Sequence, residues 1–391
     1  MISVKEAQDI VQQQSKALES IQLPLAQALD FVLSENVKAP ISLPPFDSSA
    51  MDGYALRYID GQTAFELMGE VQAGSNQAFD LKDGQAVRIF TGAMVPETAN
   101  AVIMQELTEV NGTTVEVEGS ITLGSNIRRK SEQIEANTIA LDKGTLLTAS
   151  GIGFLASMGI ETVNVHRKPK ISLLITGNEL VQAGQALQPG QIYESNGLTL
   201  VSAIKSIGFG LQTYEMVKDD FDATREALRS QLEASEVIIV SGGISVGDYD
   251  FVGSALEEIG VAQYFYKIKQ KPGKPLFFGG INEKLCFALP GNPASALSCF
   301  YNYVLPALRS LSGWAQPLLN RQKMICTTAF HKRGDRAQFL KAKIEDNTVR
   351  ILEGQGSAML HSFALANAMV YLDEASGSVK PGDEVEVILL P

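Results

Sequence analysis

Apolar residues recur at helical spacing from the start of the chain: Ala7, Ile10, Val11, Ala17 and Leu18 follow Ser3 and Glu6, which stand three apart as a capping box. The pattern predicts an N-terminal helix. From about residue 59 to residue 143 it changes to short β-type runs, among them Ala86-Val87-Arg88-Ile89-Phe90 and Ala101-Val102-Ile103-Met104, punctuated by Gly, Asn and Asp. A small all-β unit is expected there. Helical spacing returns at 151–158, and Arg167-Lys168-Pro169 makes a polar break before a different pattern.

Beyond that break, apolar strands at 171–175, 237–240 and 285–289 alternate with amphipathic helices near 198–207, 223–232, 251–259 and 294–311. This alternation marks βαβ crossovers and predicts a doubly wound, mostly parallel sheet. After Trp314 short strands return, as at 368–372 and 384–389, with Pro381-Gly382-Asp383 as a turn. The expected division is an N-terminal region at 1–168 containing the β-rich unit, an α/β domain at 169–313, and a small C-terminal β-domain at 314–391. The fold class is multidomain α/β plus all-β.

Composition narrows the partners. The 391 residues are 45% hydrophobic and 19% charged, enough apolar material for proper cores. With Lys plus Arg at 32 and Asp plus Glu at 44, the net charge is −12, which disfavours nucleic acid and anionic membrane surfaces. No run approaches the roughly 18 apolar residues of a membrane span, and the N-terminus lacks a signal pattern, so a cytoplasmic protein is expected. Cys286, Cys299 and Cys326 are too scattered for a disulfide framework, and with His166, His331 and His361 equally dispersed no transition-metal site is expected.

The candidate chemistry gathers at strand ends. Thr176-Gly177-Asn178-Glu179, Ser241-Gly242-Gly243 and Leu289-Pro290-Gly291-Asn292-Pro293 are three turns that one sheet should bring to one crevice, although each alone reads as a tight turn. Gly242-Gly243 leads through Ser245, Gly247 and Asp248 into a helix, an arrangement that presents N–H groups to an oxyanion. Lys267, Lys269, Lys271 and Lys274 concentrate positive charge around Lys271-Pro272-Gly273-Lys274-Pro275, against the acidic background. Glu179, Asp248 and Asp250 add carboxylates that suit Mg²⁺, with helix capping as the alternative role of either aspartate.

These motifs, together with Ser49-Ala50-Met51-Asp52-Gly53-Tyr54-Ala55, resemble the motif series of the bacterial MoeA proteins and the gephyrin E-domain. Arg88-Ile89-Phe90-Thr91-Gly92-Ala93 and Gly354-Gln355-Gly356-Ser357 extend the resemblance over essentially the whole chain. It implies a MogA-like α/β domain, an inserted β-rich domain and a C-terminal β-barrel. The implied activity is Mg²⁺-dependent insertion of molybdate into adenylated molybdopterin with release of AMP, the substrate coming from a MogA-type adenylyltransferase. It further implies a homodimer whose active site is shared, Asp52 facing the neighbouring subunit's α/β domain.

By the same resemblance, Asp52, Glu179, Asp250, Lys271, Lys274, Pro290 and Pro293 match positions associated with function, the first five as catalytic residues, while the carboxylates of Glu179, Asp248 and Asp250 are the expected metal ligands. The strand-end turns supply the expected binding residues Thr176, Gly177, Ser241, Gly242, Gly243, Ser245, Gly247, Asp248, Pro290, Gly291, Asn292 and Pro293, and Asp219 or Asp220 matches a further acidic position of the family. Two departures stand out. Arg128-Arg129-Lys130-Ser131-Glu132-Gln133 places Gln133 where the family carries Asp, and a family arginine appears as Lys341, which would weaken a bidentate oxyanion contact. A binding scaffold and a CinA-like pyrophosphatase are the rival classes; the segment from Ser49 to Ala55 discriminates against the second.

Overall fold

The computed structural model describes residues 1–244 and 251–391. The first helix, Val4–Gln14, is closed at its start by the expected capping box, Ser3 and Glu6 each accepting from the other's backbone N–H. Its buried stripe of Val4, Ala7 and Val11 does not serve the N-terminal region. It joins the core of the α/β unit.

The chain then builds a three-stranded antiparallel sheet from Ser20–Pro24, Thr162–His166 and Val32–Leu33. Between these strands is inserted a six-stranded sheet ordered Ala101–Met104, Gly53–Leu56, Gln85–Ile89, Ala64–Val71, Thr114–Val117 and Thr108–Asn111. This sheet starts earlier than the sequence pattern suggests. Gly53–Leu56 is an interior, fully buried strand, so these four residues are ordered by pairing on both sides, not only by turns.

The α/β sheet runs Thr213–Val217, Ile171–Thr176, Val237–Ser241, Lys284–Leu289, Pro275–Ile281, Ala262–Lys267. The first four strands are parallel, and each of the last two pairs antiparallel with the strand before it. Ile171, Leu173, Ile175, Val237 and Ile239 face one core, whereas Leu174, Ile238 and Val240 face the other. Burial on both faces explains why these strands read as unbroken apolar runs. Successive connections leave Ile171–Thr176 in opposite directions, which puts the switch point between it and Val237–Ser241.

Helix Pro293–Cys299 continues through a π-helical stretch, Phe300–Val304, into Leu305–Leu311. Beyond it, Ala337–Glu345, Thr348–Ile351, Arg321–Cys326, Glu384–Leu389 and Ala368–Leu372 form a closed five-stranded barrel, the last pairing back onto the first. Gln270–Lys271 pairs in parallel with Ala337–Glu345, so the lysine turn is fastened to the barrel's side. Cys286, Cys299 and Cys326 are free and buried. Among the described residues no helix is long and apolar enough to cross a membrane.

Candidate functional site

At the switch point, the carboxyl ends of Ile171–Thr176, Val237–Ser241 and Lys284–Leu289 open into a cavity of about 610 Å³. Thr176, Glu179, Ser241, Gly242, Gly243, Pro290, Gly291, Asn292 and Pro293 line it, and Gly177 belongs to the same turn. The three expected turns therefore do converge. Gly242 and Gly243 have φ of +102° and +65°, and a Cβ on Gly242 would lie 2.3 Å from the Thr176 carbonyl oxygen. Only glycine lets the two strand ends approach this closely.

Residues outside the sequence motifs complete the crevice. Asn196, at the start of helix Asn196–Ser206, donates through Nδ2 to Ser241 Oγ at 2.9 Å and to the Gly291 carbonyl at 2.8 Å. The buried Glu194 carboxylate accepts from Gly197 N at 2.6 Å and from the Tyr214 hydroxyl at 3.3 Å. Burial, reinforced by that carboxylate, pushes the Tyr214 phenol up to about 12. Among the described residues, Thr176 Oγ1 and Asn196 Oδ1 are buried without a hydrogen-bond partner, an uncommon state.

The structure separates the two neighbouring aspartates. Asp219 lines the cavity, its N–H donating to Asn178 Oδ1 at 3.2 Å. Asp220 caps helix Phe221–Ala234 by accepting from Ala223 N at 2.8 Å. Glu179 and Asp219 thus both belong to the lining of one cavity. No cluster of three metal-ligating side chains occurs among the described residues. Ser245, Gly247, Asp248 and Asp250 lie outside the described residues.

None of Lys267, Lys269, Lys271 and Lys274 is among the residues that line the switch-point cavity. Lys271 faces a neighbouring cavity of about 400 Å³, with His331, Arg333 and Gln338, while Lys274 lines neither. Lys269 is engaged by Asp335 at 2.8 Å. The reason is the strand pairing of Gln270–Lys271 with the barrel, which turns the loop's start toward that domain.

Asp52 lies outside both cavities, exposed, its carboxylate accepting from Thr91 N and Oγ1 at 2.7 Å each. Those bonds hold its carboxyl below the usual carboxylate range. Gln133 is exposed on the same N-terminal part, its N–H donating to the Leu43 carbonyl. Lys341 is the clearest correction: it is 1% exposed, and its Nζ donates to the carbonyls of Gly354, Gly356 and Met359. All three ammonium donors are spent inside the protein, so it is no weakened stand-in for an oxyanion-binding arginine.

Three family models match successive parts of the chain: the MoeA N-terminal region (domain I and II) over residues 2–159, a probable molybdopterin binding domain over 172–310, and the MoeA C-terminal region (domain IV) over 323–390. A molybdopterin molybdenumtransferase of Haemophilus influenzae is 34% identical, the match covering 96% of this chain and 97% of that protein. One from Nostoc sp. is 32% identical over 100% of this chain and 94% of its own length. Two structures of the molybdopterin biosynthesis MoeA protein from Pyrococcus horikoshii superpose with TM-scores of 0.81 and 0.86, at 31% and 27% identity. The first covers 100% of this chain and 99% of the other, the second 100% of both. The chain therefore belongs to the MoeA family of molybdopterin molybdenumtransferases.

Proposed function

We propose that the protein inserts molybdate into adenylated molybdopterin and releases AMP, the final step of molybdenum cofactor biosynthesis. The observation that carries this reading is the switch-point crevice, whose volume suits a nucleotide-sized ligand and whose floor is made of glycine turns and buried polar atoms. The start of helix Pro293–Cys299 faces it, a favourable end for phosphate or molybdate oxygens. The scarcity of Cys and His fits too, since the substrate's dithiolene supplies the sulfur for molybdenum.

Glu179 and Asp219 fit Mg²⁺ by donor type, and they would hold it together with Asp248 and Asp250. Bound there, the ion would neutralise phosphate charge as the phosphoanhydride opens. The protein's own groups do the rest: Gly242 and Gly243 admit the ligand against the strand ends, and Asn196 fixes the walls. Lys271 and Lys274 raise the positive potential on the approach side. A MogA-type adenylyltransferase would supply the substrate, in the cytoplasm.

The reading includes a homodimer in which Asp52 completes the partner's site. Its support is that Asp52 lines neither cavity, and that Phe46, Met51 and Met94, which lies opposite Ser48, are exposed apolar side chains on the same part of the chain that a second subunit would cover. Mixed Asp52→Ala and Glu179→Ala subunits should then recover about a quarter of wild-type turnover after random exchange. A monomeric mass by light scattering at micromolar concentration would contradict it. For the activity itself, the test is AMP release from adenylated molybdopterin with Mg²⁺ and molybdate; no release above a heat-killed control would sink the proposal.

A further inference from the structure

The strand Ala337–Glu345 points Lys341 into the protein, where its Nζ gathers three carbonyl oxygens from one loop: Gly354 at 2.8 Å, Gly356 at 3.1 Å and Met359 at 3.2 Å. Gln355 tightens the arrangement. Its Oε1 accepts from Lys341 N at 3.0 Å, and its Nε2 donates to the carbonyls of Lys341 at 2.9 Å and Leu352 at 2.7 Å. The Ser362 hydroxyl meets the Gly354 carbonyl at 2.7 Å from the other side.

The outer side of this loop touches the crevice. Ser357 O accepts from Ser295 N at 3.2 Å, Ser357 Oγ accepts from Asn292 Nδ2 at 3.2 Å, and Ala358 is part of the cavity wall. With no donor among them, three carbonyl dipoles converging at one point repel one another, and the loop would open. Burying an ammonium is costly unless every donor is used, and here every donor is used on this loop. Burial pushes the Lys341 ammonium down to about 8.

We propose that Lys341 is a positioning residue: by gathering the carbonyls of Gly354, Gly356 and Met359 it holds Ser357 and Ala358 against the Leu289–Pro293 turn, so that the barrel supplies one wall of the binding crevice. The kinetic half of the proposal rests on the functional reading above; the structural half does not.

The test uses the full chain as wild type, Lys341→Met, Lys341→Arg, Ser357→Ala and the Lys341→Met/Ser357→Ala double variant. In the ligand-free protein, Lys341→Met is expected to speed hydrogen exchange at the Ser295 amide by roughly tenfold while the barrel strands keep their protection. In turnover, the Michaelis constant for adenylated molybdopterin should rise about tenfold with kcat within about twofold, because ground-state positioning is lost. Ser357→Ala should raise it comparably, and the double variant no further. Lys341→Arg keeps the charge but not the three-way reach of an ammonium, so it should show the same changes at smaller size and carries the measurement if Lys341→Met fails to fold. Unchanged exchange at Ser295, or additive effects in the double variant, would overturn the proposal. If the wild type releases no AMP, the functional reading falls and the exchange result alone decides the positioning role.

Discussion

Asn196 Nδ2 lies 2.8 Å from the Gly291 carbonyl oxygen, and because a carbonyl can only accept, that contact fixes which way the amide faces. The same nitrogen reaches Ser241 Oγ, so one side chain ties the end of Val237–Ser241 to the turn beyond Lys284–Leu289. Asn196→Ala should raise the Michaelis constant for the adenylated pterin about tenfold, the scale of one or two hydrogen bonds. Asn196→Asp should do no better, since a carboxylate would face the Gly291 carbonyl. Steady-state AMP release checks both, and wild-type constants in either variant would refute the role.

Asp219 and Asp220 should part company under mutation. Asp220→Ala removes a helix cap and should cost about 1 kcal/mol of stability with kcat nearly intact. Asp219→Ala should leave urea unfolding unchanged and raise the Mg²⁺ concentration needed for half-maximal AMP release. The reverse assignment of effects would return both residues to the undecided pair that sequence alone left.

Gly242→Ala tests the close approach of strand ends. A methyl group placed 2.3 Å from the Thr176 carbonyl must move backbone, at a φ that side chains rarely adopt. A loss of at least ~2 kcal/mol in denaturant unfolding is expected. A variant as stable as wild type would show that the turn can relax.

Lys341 gives a pH dependence whose sign can be worked out. Its folded value is about 8, against roughly 10.4 for an unfolded lysine, so between those values the unfolded chain holds the proton more tightly. Stability relative to Lys341→Met should therefore be flat below about pH 8 and rise from about pH 8 to about pH 10.4. Urea unfolding of both proteins at several pH values measures the difference; a difference that falls with pH would contradict the desolvated ammonium.

The α/β domain was legible because strands buried on both faces, such as Ile171–Thr176, carry no polar alternation to obscure them. Thr213–Val217 escaped notice for the opposite reason: it is an edge strand with mostly exposed side chains. Asn196 and Glu194 were missed because a short polar stretch before a helix reads as a capping segment, and their partners, Gly291 and Tyr214, are remote in sequence. The cap that separates Asp220 from Asp219 did leave a signal, an aspartate three residues before Ala223 at a helix start. Lys341 could not be placed at all, since nothing local distinguishes a lysine that meets a ligand from one that meets carbonyls 13 to 18 residues onward.

The first helix has a consequence for how the chain is made. Val4, Ala7 and Val11 complete a core whose other side is Tyr303, Leu305 and Leu308, and Ile2 exchanges backbone hydrogen bonds with Lys267 and Lys269. During synthesis at about 5–20 residues per second, the helix leaves the ribosome roughly 15–60 s before those partners do. Closing so long a loop is slow, and until then an amphipathic stripe has nothing to cover it. Nascent chains should thus be most vulnerable to capture or cleavage at this helix, and stalled fragments ending before about residue 305 should expose that stripe.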